Sequence, residues 1–162
     1  MRENRYLAAL EGSRCFLKLE GRLTYQICAP FDSFCCALTE NSLVTEVIVD
    51  LCDAEYLDST NLGILAGLAE YQLRKSGTKP CVCISGGDLR TILESMGLEE
   101  IMKLNETPAS GPSIPYREIQ AVSEVRRNLS SLMYASHKTL SDLNERNRNS
   151  FASLLDLLGK EV

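Results

Sequence analysis

The sequence of 162 residues lacks the features that mark nucleic-acid-binding and membrane proteins. It contains no run of lysine and arginine and its formal net charge is -5, so the basic surface that nucleic-acid binding requires is missing. No apolar run approaches the roughly 18 residues of a membrane-spanning helix. The first residues carry charges and only a short apolar patch, unlike a secretion signal. We therefore expect a cytoplasmic protein that contacts neither nucleic acid nor membrane directly.

Metal-binding and disulfide-forming patterns are also missing. The chain has one histidine and seven cysteines, and an odd cysteine count without a secretion signal argues against a disulfide framework. Cys81 and Cys83 form a C-x-C pattern within a predicted strand, but no second cysteine pair or histidine stands at zinc-ligand spacing. Free cysteines of this kind behave as small apolar residues. We therefore predict buried free thiols, no metal site and no cofactor.

Patterns typical of enzymes are equally scarce. The single histidine, His137, lies in a predicted helical tail, and we predict that it completes no Ser-His-Asp or Cys-His arrangement. No G-x-x-x-x-G-K-[ST] phosphate loop is present. Residues 85–90, SGGDLR, form a glycine-rich segment before a predicted helix. A strand-to-helix turn is the main interpretation of this segment, with an anion or nucleotide site at the helix start as the alternative. We predict no catalytic residue.

The sequence does contain an alternation of strand and helix patterns that is typical of an α/β fold. Hydrophobic residues make up 44% of the chain and charged residues 24%, which is an ordinary composition for a protein with a buried core. The predicted order is two short strands that meet in a turn at Gly21, a helix that begins near Pro30, a strand over 46–51, a helix from Ser59 to a cap at Gly77, a strand over 80–84, a helix over 87–96 and a short strand over 101–104. We predict a small mixed β-sheet covered by helices.

A change of composition divides the chain into three predicted segments. Three of the five prolines lie in residues 105–115, and beyond them apolar residues recur at helical spacing without any proline. We predict an α/β domain over 1–105, a linker over 106–115 and a C-terminal helical extension over 116–162. Thr139 and Asp142 resemble a capping box, which favours a helical hairpin that breaks between 136 and 141, with one continuous long helix as the alternative.

The segment VIVDLCDAEYLDSTNLGILAGL, residues 47–68, resembles the corresponding part of the STAS domain of bacterial anti-sigma factor antagonists. In that family an apolar strand ends in Asp-Leu, and a short loop leads to an Asp-Ser-Ser/Thr-Gly-Leu-Gly segment that begins a helix. Here Asp50-Leu51 ends the predicted strand and residues 58–63 read DSTNLG. Asn61 replaces the usual glycine, and we expect the replacement to be tolerated because the first helical turn demands no positive φ.

The resemblance implies a STAS-like fold and a protein-binding function that phosphorylation controls. Ser59 matches the family's phosphorylated serine. The implied partners are an anti-sigma factor, which in this family is often also a GHKL-type serine kinase, and a PP2C-type phosphatase. The unphosphorylated family member sequesters the anti-sigma factor and so releases the sigma factor. Serine and aspartate are also common helix caps, so the alternative is a STAS structural or scaffold subunit in which Ser59 is not phosphorylated.

The implied partner surface surrounds the start of the helix at Ser59. Its predicted residues are Asp53, Glu55, Asp58, Ser59, Thr60 and Asn61. The C-terminal extension also needs an apolar partner, because an isolated amphipathic helix is only marginally stable in water. Three alternatives stay open: the extension packs on its own domain, forms a homodimer, or binds a second signalling protein.

Overall fold

The structure of the chain is a computed structural model that describes residues 2–107, 110–120 and 127–162. In chain order its elements are β1 (Arg5–Glu11), β2 (Arg14–Leu23), α1 (Ala29–Glu40), β3 (Glu46–Asp50), β4 (Ala54–Leu57), α2 (Ser59–Ser76), β5 (Cys81–Cys83), α3 (Asp88–Ser95), β6 (Lys103–Asn105), β7 (Arg117–Glu118), α4 (Leu129–Ser141) and α5 (Glu145–Gly159). A 3-10 turn, Leu98–Glu100, lies between α3 and β6. The predicted α/β class is confirmed.

Seven strands form one mixed sheet. Its order is β6-β5-β3-β2-β1-β7, and β4 pairs with the end of β2. β1 is antiparallel to β2 and β7, whereas β3 and β4 are parallel to β2, and β5 is parallel to β3. The loops that follow β3, β4 and β5 therefore leave the sheet in the same direction. α2 begins directly after β4, on this side of the molecule.

The predicted turn at Gly21 is wrong. The hairpin is formed by β1 and β2, and Gly12 lies in its turn with φ 62°. Gly21 lies inside β2 with φ 78°, where the pairing with β4 shifts register between Gly21 and Arg22. A side chain at position 21 would come closer than 3 Å to the backbone of Glu3. The glycine therefore marks a β-bulge rather than a chain reversal.

The other predicted elements of the sheet domain are present. Pro30 lies in the first turn of α1, and Gly77 caps α2 with φ 70°. The strand after Pro80 and the helix that ends before Gly97 also form as β5 and α3. β4 is an additional strand, and its short sequence AEYL carries no apolar run long enough to predict it.

The main core lies between the sheet and the helices. β2, β3 and α2 each contribute apolar side chains to this cluster, among them Leu17, Val49 and Leu65. Alternate strand residues point to the opposite face, as the pleat requires. On that face a smaller cluster contains Ala9, Phe16, Ile48 and the partly buried Tyr116.

The C-terminal helices form a hairpin, so the hairpin interpretation of the extension is confirmed. The break falls at residues 142–144, after the predicted position, because Thr139 lies inside α4 and its hydroxyl donates to the carbonyl of Ala135. Asn144 caps α5, and its side chain accepts from the N–H of Asn147. Residues 121–126 of the predicted extension lie outside the described residues. Among the described residues, no helix is both long and apolar enough to cross a membrane.

Candidate functional site

Asp58 holds the first turn of α2 in place. Its Oδ1 accepts from the N–H of Asn61 at 3.0 Å, which is the bond expected of an N-cap residue. Its Oδ2 accepts from the N–H of Tyr25 at 2.6 Å, in the loop after β2. Because both carboxylate oxygens bind backbone amides, Asp58 fixes the position at which Ser59 begins the helix.

Ser59 contacts a residue that lies 78 positions further along the chain. Its Oγ is 2.8 Å from Nε2 of His137, on α4. Nδ1 of His137 lies 2.6 Å from the carbonyl oxygen of Met133, which can only accept, so Nδ1 carries the proton. In the neutral ring Nε2 then accepts from the Ser59 hydroxyl. The His137 side chain is 1% exposed and packs edge-on against Phe151 of α5.

The sequence analysis did not anticipate this contact. We predicted that His137 completes no Ser-His-Asp or Cys-His arrangement, and the Ser59–His137 pair is only part of such an arrangement. No local sequence pattern could have revealed the pair, since its two members are brought together only by the docking of α4 on α2. The partner of Nδ1 is a backbone carbonyl, however, and not the carboxylate that stabilises the imidazolium in a Ser-His-Asp triad.

Gly63, one helical turn after Ser59, allows α4 to approach α2 very closely. A Cβ at this position would fall closer than 3 Å to three backbone atoms of Ser136. Gly67, one turn further, has open space at the corresponding position, and it lines a cavity of about 170 Å³ between α1, α2 and α4. We call Ser59, Gly63 and Gly67 the docking face of α2, because residues four apart share one side of a helix.

Two of the six predicted partner residues are enclosed in the fold. Thr60 is 2% exposed and Asn61 is fully buried. Asn61 accepts from the Tyr6 hydroxyl at 2.6 Å and donates to Asp58 at 2.9 Å, and burial raises the pKa of Tyr6 strongly. The helical position of Asn61 agrees with the expectation that no positive φ is needed there. The buried side chain of Asn61 therefore stabilises the first turn of α2 through its hydrogen bonds with Asp58 and Tyr6.

The predicted acidic residues before α2 differ in accessibility. Glu55 is exposed on β4. Asp53 forms ion pairs with Arg2 at 2.8 Å and with Lys18 at 3.1 Å. Asp53 is thus partly neutralised by its two ion pairs, and of the six predicted positions only Glu55 is fully exposed. A partner role for any of these residues stays a prediction.

The α4–α5 hairpin is attached to the sheet domain at two further points. Arg127 forms a two-pronged ion pair with Asp32 of α1, with Nε–Oδ2 at 3.0 Å and Nη2–Oδ1 at 2.5 Å. Asp32 is 1% exposed, so this carboxylate depends on Arg127 for its counter-charge. At the other end, Nδ2 of Asn147 donates to the carbonyls of Met96 and Leu140 at 2.8 and 2.9 Å.

One cluster among the described residues has the chemistry of a metal site. Asp50, Cys52 and Cys83 place one ligand atom each within 4.8 Å of one another, and the two Sγ atoms are 2.6 Å apart. Thiolates and a carboxylate suit zinc. Burial, together with the neighbouring Cys83 and Asp50, raises the pKa of Cys52 to about 12, so a metal ion would have to displace a firmly held proton. The sequence analysis missed this pair because Cys52 lies in the loop after β3, whereas Cys83 is the last residue of the neighbouring strand β5.

The glycine-rich segment at residues 85–90 is a strand-to-helix turn. Gly86 and Gly87 have φ values of 61° and 86°, and α3 begins at Asp88. A carboxylate in the first helical turn occupies the end of the dipole that a bound anion would use. The turn interpretation is therefore confirmed.

Comparisons with known proteins agree with this architecture. The family model of the STAS domain matches residues 7–111, which is well over half of the chain and ends before the hairpin. The crystal structure of an anti-sigma factor antagonist from Mycobacterium paratuberculosis is similar with a TM-score of 0.53 and 22% identity, over 66% of this chain and 87% of that one. The unphosphorylated anti-sigma factor antagonist SpoIIAA is similar with a TM-score of 0.51 and 12% identity, over 63% and 88%. No curated protein matches the chain. The chain belongs to the STAS-domain family.

Proposed function

We propose that this protein is an anti-sigma factor antagonist, a binding regulator whose activity is switched by phosphorylation of Ser59. The unphosphorylated form sequesters an anti-sigma factor in the cytoplasm and so releases a sigma factor. The anti-sigma factor, or a separate GHKL-type kinase, phosphorylates Ser59, and a PP2C-type phosphatase restores the active form. The observation that carries this proposal is the place of Ser59, as the first residue of α2 in a STAS fold.

The chemistry of the helix start supports a phosphate-controlled contact. A phosphoserine adds about -1.5 to -2 charge and three strong acceptor oxygens. The N-terminus of α2 stabilises such a group by roughly 0.3 to 1 kcal/mol, so the start of the helix tolerates it. The Asp58 carboxylate beside it and the exposed Glu55 add negative charge to the same surface. A partner that docks there would meet like-charge repulsion and an added desolvation cost, so phosphate suits an off-switch for binding.

No enzymatic step is assigned to this chain. Ser59 and His137 have the spacing of a nucleophile and its base, but the hydroxyl lies in a helix–helix contact and the ring is held by a backbone carbonyl. A fluorophosphonate reagent, which labels activated serines covalently, should leave Ser59 unlabelled. Labelling of Ser59 would contradict the proposal that the protein is a regulator without an active site.

A second candidate function is supported by the same contact. Because Ser59 donates to the buried His137, the serine has a structural role in holding α4, and a STAS scaffold subunit that is never phosphorylated would retain the same contact. The two candidates differ in the covalent state of Ser59 and in how its substitution affects partners.

The test compares wild type with Ser59→Ala and with a chain that carries phosphoserine at position 59. Each is used to capture proteins from the host lysate, the captured proteins are identified by mass spectrometry, and an identified anti-sigma factor or GHKL-type kinase is then titrated calorimetrically. The switch predicts tight binding to wild type and Ser59→Ala, and affinity at least about tenfold weaker for phosphoserine, a difference of about 1.4 kcal/mol. The scaffold function predicts equal binding by all three, with no phosphate on Ser59 in protein purified from the host.

A further inference from the structure

The docking face of α2 is already occupied by a helix of the same chain. α4 lies on it with Ser136 against Gly63 and His137 against Ser59. The hydroxyl proposed to accept phosphate is therefore inside an intramolecular contact rather than on a free surface. We infer that α4 and a phosphate on Ser59 compete for the same space, so that phosphorylation releases the α4–α5 hairpin and exposes the docking face to another helix. This inference rests on the proposed function in one respect only, the presence of phosphate on Ser59.

In the docked form the imidazole of His137 lies against the Ser59 hydroxyl, where a phosphoryl group would be attached. Phosphoryl transfer from ATP forms a bond from Oγ to phosphorus, breaks the bond between that phosphorus and ADP, and releases the hydroxyl proton to a base supplied by the kinase. Oγ is then bonded to a phosphorus that carries three further oxygens, on a hydroxyl from which Nε2 of His137 now lies 2.8 Å away. The imidazole cannot turn away on its own, because Nδ1 is bonded to Met133 and the ring packs on Phe151.

The α2–α4 contact is also poorly suited to holding the hairpin against that change. The hydroxyl of Ser136 is buried and has no hydrogen-bond partner among the described residues, which weakens the contact. The cavity of about 170 Å³ beside Gly67 leaves part of the contact unfilled. Across the contact, Glu70 of α2 is partly buried near Asp142 at the end of α4; burial raises the pKa of Glu70, Arg74 lowers it and Asp142 raises it.

The kind of partner that fits the exposed face follows from its present occupant. Gly63 admits the backbone of a crossing helix, and the partner residue that faces position 59 must be small enough to leave room for the phosphate. A second protein would therefore enter as an amphipathic helix with a small residue opposite Gly63. The chain's own α4 excludes that helix whenever it is docked.

The test measures hydrogen exchange of the backbone amides in α4 and α5. In a chain with phosphoserine translated into position 59, we expect hairpin protection to fall by about tenfold or more, the effect of losing a hydrogen bond with its packing, while β1 and β2 stay protected. Unchanged or increased protection of the hairpin would overturn the inference, the latter because it would mean that His137 binds the phosphate.

A matched pair of glycine variants tests the same contact without phosphate. Gly63→Ala places a methyl group against the Ser136 backbone, and we expect it to lower hairpin protection in the unphosphorylated chain. Gly67→Ala makes the same change on the same helix where the space is open, and it should leave the hairpin protected. If Gly63→Ala retains full protection, the docking contact is not what we infer. Should Gly63→Ala fail to fold, the phosphoserine chain still decides the matter.

The outcomes separate this inference from the proposed function. Release of the hairpin by phosphoserine, in a protein for which no kinase or anti-sigma partner is found, supports the inference and removes the proposed function. Loss of partner binding on phosphorylation, with the hairpin still protected, would support the proposed function and overturn the inference.

Discussion

The sheet domain and the α4–α5 hairpin are held together by different kinds of contact. In the sheet domain, fully buried side chains such as Leu17 and Leu65 interlock with neighbouring strands and helices. The hairpin contributes Leu132 and Leu140 to the same core, and its Leu143 and Phe151 pack against that core. Its attachment also depends on polar contacts, through Arg127, His137 and Asn147.

From this difference we expect the hairpin to detach more readily than the sheet domain unfolds. Apolar burial is additive and tolerant of small shifts, whereas each hydrogen bond of the hairpin requires one exact partner. A single covalent change at such a partner can remove the attachment without disturbing the sheet. The four predictions below set one region against the other, from the largest expected effect to the smallest.

The same truncation in the two regions should have very different effects. Leu17→Ala in β2 removes a fully buried side chain from the sheet core, and we expect the free energy of unfolding to fall by about 3 kcal/mol. Leu132→Ala in α4 should mainly promote opening of the hairpin, with less than half that effect on global unfolding. Urea denaturation gives the global values, and hydrogen exchange locates the opening. Equal global effects would show that hairpin and sheet unfold as one unit.

The ion pair at the start of the hairpin should be the strongest of its polar attachments. Arg127→Ala leaves the Asp32 carboxylate buried without its counter-charge, and we expect a loss of about 2 kcal/mol, below the value for a fully buried pair because the arginine side chain is 33% exposed. Lys138→Ala is the control, since its pair with Asp142 is exposed on both sides and its loss should change stability much less. Thermal melts of both variants give the comparison, and similar melting temperatures would contradict it.

The hydrogen bond between Tyr6 and Asn61, next to the start of α2, should contribute measurably to the free energy of unfolding of the sheet domain. Tyr6→Phe removes the donor to Asn61, whose side chain is buried, and we expect a cost of about 1–2 kcal/mol. Tyr71→Phe should cost much less, because the Tyr71 hydroxyl lies near the surface, 3.2 and 3.4 Å from two backbone carbonyls and 2.8 Å from the ammonium of the exposed Lys75. The hairpin's exchange should be unaffected by Tyr71→Phe. A Tyr6→Phe variant as stable as wild type would mean that Asn61 finds another partner.

The paired thiols offer a chemical probe that leaves both regions folded. Hydrogen peroxide should oxidise Cys52 and Cys83 to a disulfide, with loss of two hydrogens from the protein and formation of two waters. Because the pKa of Cys52 is raised to about 12, its thiolate is scarce at pH 7, and the rate should rise as pH increases toward that value. Intact mass and peptide mapping follow the reaction, and Cys52→Ser should abolish it. Preferential oxidation of another cysteine pair would contradict the prediction.

The elements of the sheet domain could be predicted because their signals are local. The apolar run of β3, the proline that opens α1 and the glycine that caps α2 each act on their own neighbours in the chain. The resemblance to the STAS family is local in the same sense, because one contiguous stretch around Ser59, residues 47–68, carries it. Gly21 shows the limit of this reasoning, because a positive φ serves a bulge as readily as a turn, and only the pairing of β2 with β4 distinguishes them.

The contacts of the candidate site could not be predicted because they join distant parts of the chain. Nothing near Ser59 indicates that His137 will lie against it, and nothing near Asp32 indicates Arg127. The periodicity of the extension predicts an amphipathic hairpin, but not which surface receives it. The sequence analysis accordingly left three alternatives open: self-packing, dimerisation and a second partner. In the structure the hairpin packs on its own domain.

The short strand β7 limits how far a released hairpin can travel. β7 pairs with β1, and the N–H of Ile119 donates to the carbonyl of Tyr6, so the chain is fastened to the sheet until that residue. α4 begins at Leu129, and about ten residues can extend only some 35 Å. A helix tethered this closely is present at its docking face at an effective concentration on the order of millimolar. A partner at micromolar concentration would have to bind that face about a thousandfold more tightly than α4 does, unless Ser59 carries a phosphate.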